Sequence, residues 1–171
     1  MDSDSYLCQL ASLFDGITVY PPSVGAIIAI VLAFILLFCS GFVSASEIAF
    51  FSLSPNDMSE IEQSNKDNDK KILNLLEESE RLLATILISN NFVNVTIIML
   101  CNYFFSQVID FGTSKVIEFI VLTVLLTFLL LLFGEIIPKI YSSQYTLKFC
   151  RTAAPVMWFL RRFFYPLSGL L

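Results

Sequence analysis

The chain has 171 residues, of which 56% are hydrophobic and 15% are charged. Soluble domains carry about 25% charged residues, so this composition, with a mean hydropathy of +0.76, excludes an ordinary soluble fold and predicts an integral membrane protein. The absence of histidine removes Ser-His and Cys-His nucleophile pairs and most zinc sites, and no enzyme is expected.

The chain begins with a short acidic segment followed by a long uncharged run. Residues 1–22 contain no Lys or Arg, so they lack the basic start of a secretory signal, and we interpret them as extracytoplasmic. The run 24–43 can cross about 30 Å of hydrocarbon and predicts the first membrane helix. Near its end Ser40, Ser44 and Glu47 share one helix face. Helix packing is the simpler explanation for a serine at position 40. It explains less well why a serine at position 44 shares a helix face with Glu47.

A polar block, residues 52–81, separates the first two apolar runs. Ser54-Pro55 is typical of a helix start, and residues 64–69 are interpreted as a turn. Apolar residues then recur at helical spacing. The block therefore predicts two short amphipathic helices on the cytoplasmic membrane surface.

The second predicted membrane helix, residues 82–109, carries an unusual group of asparagines. Each amide in a spanning helix must find hydrogen-bond partners. Asn90 and Asn94 are four residues apart and share a face, whereas Asn91 points elsewhere. Two roles stay open for the pair, interhelical hydrogen bonding and ligand binding.

The third predicted membrane helix follows a tight loop at 110–115, starts near residue 116 and ends in the sequence Gly-Glu-Ile-Ile-Pro-Lys, residues 134–139. A carboxylate at membrane depth costs about 2.5–3.5 kcal/mol on insertion scales. Pro138 has no N–H and displaces the carbonyl four residues earlier, which belongs to Gly134. The stretch thus offers either a cation site, with a freed carbonyl beside Glu135, or a plain helix end with an interfacial acid.

Residues 144–171 combine basic and aromatic side chains, and Pro155 and Pro166 are expected to interrupt them. We predict short juxtamembrane interfacial helices that lead to cytosolic domains missing from this chain. The three-helix transmembrane domain then occupies residues 23–143. Residues 52–81 and 139–171 hold nine of the ten basic residues, so the positive-inside rule places the N-terminus outside and the C-terminus in the cytoplasm.

With this orientation, hydroxyl, amide, carbonyl and carboxylate oxygens from all three helices fall at a similar depth. An oxygen-only ligand set suits a hard cation, Mg2+ or Na+ before Ca2+.

Three motifs together resemble one known family: SGFVSASE at 40–47, NNFVN at 90–94 and GEIIPK at 134–139. Their order and spacing are similar to those of the transmembrane domain of the CNNM/CorC, cyclin-M-like or haemolysin-like, Mg2+ transporters, over nearly the whole chain from Val24. Ser89 stands where many members have Gly. The resemblance implies a homodimer with three membrane helices per protomer, an inward-facing Mg2+ site, Na+ coupling and cytosolic CBS-pair domains. It implies as ligands Ser44, Asn90, Asn94, the Gly134 carbonyl and Glu135, with Ser40 as a further candidate.

The sequence thus predicts an all-α, multi-pass protein of the cell (inner) membrane, with lipid and a second copy as partners and no nucleic acid. Its expected function is Mg2+ export by Na+-coupled alternating access. The alternative is a non-transporting membrane anchor and dimerisation module for cytosolic regulatory domains.

Overall fold

The computed structural model describes residues 18–110 and 115–168, with side chains except at 115–118, 121 and 165–168. The elements in chain order are β1 (Thr18–Val19), α1 (Val24–Phe51), α2 (Pro55–Gln63), α3 (Asp67–Glu77), α4 (Ser79–Val108), β2 (Ile109–Asp110), α5 (Lys115–Leu131), a π-helical turn (Leu132–Ile136), α6 (Ile137–Gln144) and α7 (Thr146–Ser168). Two expectations fall largely outside the described residues. They are the extracytoplasmic segment at 1–22, of which 1–17 are not described, and the tight loop at 110–115, of which 111–114 are not described.

Within residues 18–110 and 115–168, three helical stretches are long and apolar enough to cross a membrane: Val24–Phe51, Ser79–Val108 and Leu122–Gln144. They overlap the three predicted spans, and the helical membrane fold is confirmed. The first two helices extend beyond the apolar runs from which they were predicted, because Ser, Glu and Arg at their ends are compatible with helix. The chain divides into two compact units, which within the described residues comprise 18–35 with 96–129, and 36–95 with 130–168.

The first unit contains a strand pair that the sequence did not predict. β1 and β2 are antiparallel, with Thr18 opposite Asp110 and Val19 opposite Ile109. Two-residue strands are too short to show an alternating pattern. The Tyr20 N–H extends the pairing by donating to the Val108 carbonyl at 2.8 Å.

The second unit contains α2 and α3, which confirm the two short helices predicted in the polar block. The Ser54 hydroxyl accepts from the Asp57 N–H at 3.2 Å, and the Asp57 carboxylate accepts from the Ser54 N–H at 3.0 Å. This capping box starts α2 at Pro55. The turn after it is shorter than predicted, because α3 begins at Asp67 and takes its acidic residues into the first turn, where the helix dipole favours them.

Helix α7 is anchored to α3 by a buried core and a buried ion pair. Ile72 and Leu75 of α3 and Cys150 and Met157 of α7 are fully buried in one cluster, and burial raises the pKa of the Cys150 thiol to about 12. The Asp69 carboxylate, also fully buried, accepts from Arg151 Nε at 2.8 Å and Nη2 at 3.0 Å.

The expected interruption of this region by prolines was wrong, since α7 is one helix from Thr146 to Ser168. Pro155 removes the N–H that would serve the Arg151 carbonyl one turn earlier. The Asn68 side-chain amide donates to that carbonyl instead, at 3.1 Å. A partner from another helix thus compensates the proline, which sequence periodicity cannot reveal.

Candidate cation-binding site

Side-chain oxygens of Ser40, Asn90 and Asn94 meet in the second unit. The Ser40 hydroxyl lies 2.7 Å from Asn90 Oδ1 and 2.8 Å from Asn94 Oδ1, and Ser40 is fully buried. The asparagines share the predicted face of α4, whereas Asn91 is exposed. A hydroxyl has one hydrogen to donate, so two amide oxygens compete for it. Three side-chain oxygens therefore converge at this point, and the Ser40 hydroxyl has one hydrogen for the two amide oxygens.

The π-helical turn brings its backbone against this cluster. Gly134 is buried, and a Cβ at its position would lie 3.4 Å from the Ser40 hydroxyl oxygen. A larger side chain there would separate the turn from α1. Residues from α1, α4 and the π-helical turn are therefore in direct proximity.

The register of the turn decides which carbonyl Pro138 leaves without its donor. The Ile137 N–H donates to the Leu132 carbonyl, five residues back. In this π register the next donor position, Pro138, would serve Phe133, whereas in the α register it would serve Gly134. The sequence argument considered only the α register. In the observed π register the carbonyl that Pro138 cannot serve is therefore that of Phe133.

Close packing and one hydrogen bond hold α1 against the segment after the turn. A Cβ at Gly41 would lie 2.9 Å from Pro138 Cγ and 3.3 Å from the Phe133 carbonyl oxygen. One turn further on, the buried Ser142 hydroxyl donates to the Ala45 carbonyl at 2.6 Å. Sequence reasoning missed Ser142, which has the ordinary appearance of a polar residue near a helix end.

Ser44 is fully buried one helical turn from Ser40. In the described part of the chain its hydroxyl has no hydrogen-bond partner. A serine in a helix usually satisfies its hydroxyl on the carbonyl four residues back, as Ser46 does with Phe42. Ser44 is thus a buried donor and acceptor available to a ligand.

The Glu135 carboxylate makes no hydrogen bond to Ser40, Asn90 or Asn94 and instead accepts from Lys139 Nζ at 3.1 Å. Lys139 also pairs with Glu47 at 2.9 Å. The two acids and one lysine leave a net charge of −1. The sequence predicted Glu135 as a ligand, and the structure gives it an internal cation as its partner.

The ligand types available here are hydroxyl, amide, carbonyl and a single carboxylate. Among the described residues, no three His, Cys, Asp or Glu side chains come together as a metal site. A transition-metal centre of soft or imidazole ligands therefore has no support in this part of the chain.

The fold and this arrangement define a helical membrane domain with a buried, oxygen-lined polar site. Residues 31–171 match the family described as the cyclin M transmembrane N-terminal domain, so the chain belongs to the CNNM family.

Curated relatives lie in bacteria and animals. The chain is 30% identical over 141 residues to a UPF0053 protein of Haemophilus influenzae, covering 82% of this chain and 32% of the relative. It is 32% identical over 118 residues to the metal transporter cnnm-4 of Caenorhabditis elegans, covering 64% and 24%, and 29% identical over 138 residues to a UPF0053 protein of Synechocystis, covering 81% and 38%. The chain thus spans roughly a quarter to two fifths of the length of these relatives.

Proposed function

We propose that this chain is the membrane domain of a divalent-cation transporter with Mg2+ as its cargo. The observation that carries the proposal is the convergence of three side-chain oxygens where Ser40 meets Asn90 and Asn94. A cation is the ligand that satisfies several acceptors at once, and neutral oxygens suit a hard ion. The relative named as a metal transporter supports the same function.

The proposed ligand set extends from this cluster along α1 and the π-helical turn. Ser44 contributes its unpartnered hydroxyl, and Gly134, in the turn where Pro138 supplies no N–H, contributes its carbonyl. Glu135 supplies the only formal negative charge. One carboxylate neutralises half of a divalent charge, so the site holds its ion weakly enough to release it.

Cargo binding in this scheme requires an exchange at Glu135. Lys139 neutralises its carboxylate in the described structure, at 3.1 Å. When Mg2+ takes this carboxylate, Lys139 keeps Glu47, at 2.9 Å, as its partner. The lysine is therefore released from one acid without losing its charge compensation, which lowers the cost of loading.

Transport then follows by alternating access of the helices, outward and coupled to Na+. The lysine and arginine distribution supports an N-terminus outside and a C-terminus in the cytoplasm of the cell membrane, with the site open to the cytoplasm. A homodimer and cytosolic CBS-pair domains complete the proposed assembly, and the greater length of the relatives leaves room for such domains.

The test compares two asparagines of α4. Asn94→Ala removes an oxygen of the cluster and should weaken Mg2+ binding at least tenfold in titration calorimetry, and abolish Mg2+ efflux from proteoliposomes. Asn91→Ala, on the exposed face, is the matched control and should behave as wild type. Wild-type binding and efflux in Asn94→Ala would refute the site. Efflux independent of an opposing Na+ gradient would refute the coupling only.

The second candidate function is a membrane anchor and dimerisation module. The hydrogen bonds that join Ser40 to Asn90 and Asn94 across two helices favour it, because polar residues often bind membrane helices together. In that case Asn94→Ala would lower the stability of the domain, and the wild-type protein would bind no Mg2+.

A further inference from the structure

The buried interior of the first unit has no polar side chain. As far as that unit is described, its buried residues are Ala26, Ala29, Ala33, Ile97, Cys101, Leu122 and Leu126. The buried side chains of the described residues that carry oxygen, Ser40 and Ser44 among them, belong to the second unit. A charge in a dry apolar interior is costly because nothing replaces its water. The first unit as described therefore offers a cation no oxygen-lined path.

Within this unit the first turn of α1 packs closely on the last turns of α4. A Cβ at Gly25 would lie 3.1 Å from the Tyr103 hydroxyl oxygen, so a larger side chain at this position would move one helix away from the other. Further along α1, the buried residues Ala26, Ala29 and Ala33 share one face. Small residues of this kind let membrane helices approach closely. The two helices are therefore in contact at the end of the domain that the lysine and arginine distribution places outside.

The β1–β2 pair ties the same two ends together through the backbone. β1 precedes α1, and β2 follows α4 directly. The Tyr20 N–H adds a bond to the Val108 carbonyl at 2.8 Å. The pair is exposed, since Val19 is 71% and Tyr20 is 53% accessible, and a two-stranded pair without a covering layer is marginally stable in water. It can therefore open and close without exposing a hydrophobic core.

We propose that the β1–β2 pair is a latch that holds the extracytoplasmic end of the domain closed and opens when the cation is released outside. The inference rests on the proposed transport function, because alternating access requires one end to stay closed while the other is open. The helices that the latch joins are those that carry the cluster: Ser40 lies about 24 Å along α1 from Val24, and Asn94 about 21 Å along α4 from Val108. Opening the latch separates α1 from α4 at the outer end and admits water to an otherwise apolar interior.

The test joins the two strands by a disulfide between positions 19 and 109. Because the Tyr20 N–H donates to the Val108 carbonyl, Val19 and Ile109 form a non-hydrogen-bonded pair. Opposite Cα atoms in such a pair lie about 4.5 Å apart, a separation that a disulfide can span. Oxidation of Val19→Cys/Ile109→Cys in proteoliposomes should lower Mg2+ efflux about tenfold or more. The Kd for Mg2+ should stay unchanged, and reduction should restore efflux.

Three controls separate closure of the latch from other effects of the chemistry. The wild type, whose native cysteines meet the same oxidant, and Val19→Cys alone should keep their efflux. A long flexible bismaleimide linker between the two introduced cysteines lets the strands separate and should also preserve efflux.

The outcomes distinguish the latch from the transport function on which it rests. Undiminished efflux from the oxidised double variant would overturn the latch and leave the proposed function intact. Loss of Mg2+ binding on oxidation, or a block by the long linker, would also overturn it, since the pair would then act on the site or the modification itself would stop transport. No efflux from the wild type and the reduced variant alike would refute the proposed function and the latch together.

Discussion

Replacing Asp69 by alanine should destabilise the domain by about 3 kcal/mol. The carboxylate is fully buried and accepts two hydrogen bonds from Arg151, at 2.8 and 3.0 Å. Breaking a buried ion pair costs about 3–5 kcal/mol because it leaves a charge uncompensated. The cost should lie at the lower end here, because Arg151 keeps the exposed Glu60 at 2.9 Å and is itself 23% exposed.

The same arginine supplies a matched control. Glu60 is 59% exposed, so Glu60→Ala should change the free energy of unfolding by about 0–1 kcal/mol, as for other surface pairs. Unfolding in detergent can be followed by Trp158 fluorescence, which reports on α7. We attribute the importance of Asp69 to its burial and not to charge pairing alone. Free energies of unfolding that differ by less than about 1 kcal/mol between Asp69→Ala and Glu60→Ala would refute this.

Three further predictions concern packing, cargo and pH. Gly41→Ala should cost about 1–3 kcal/mol, measured as the free energy of unfolding, because its Cβ would lie 2.9 Å from Pro138 Cγ; an unchanged value would show that α1 can move away freely. Lys139→Gln should tighten Mg2+ binding about two- to fivefold in titration calorimetry, because Glu135 loses a competing cation, and weaker binding would contradict the exchange at Glu135. The Arg151 guanidinium lowers the pKa of the Asp69 carboxyl. The free energy that the ionised Asp69 carboxylate adds to folding is therefore complete above pH about 4 and is lost as the pH falls further. Unfolding measured between pH 5 and 3 should show this loss in the wild type and a shallower one in Asp69→Asn.

The three membrane helices were predictable because an uncharged run of about 20 residues has few alternatives to a spanning helix. The shared face of Asn90 and Asn94 was equally predictable, since it depends only on helical spacing. The proximity of Ser40 to both asparagines is a tertiary contact. Matched depth made it plausible, but only the fold determines which face of α1 meets α4.

The features that could not be predicted depend on partners distant in sequence. The position of Lys139 between Glu47 and Glu135 depends on how α1 packs against the segment after the π-helical turn. The turn itself shifts the hydrogen-bond register by one residue, and no periodicity in the sequence marks that shift. The pairing of β1 with β2 likewise joins residues about 90 positions apart.

The amide of Asn68 has a consequence for how this region can change by mutation. It donates to the carbonyl that Pro155 leaves without a helical partner. Replacing Pro155 first restores a backbone donor and makes Asn68 dispensable, whereas replacing Asn68 first leaves a carbonyl unsatisfied inside α7. The two orders of substitution reach the same double variant through intermediates of unequal stability. Natural or laboratory evolution of α3 and α7 should therefore lose the proline before the asparagine.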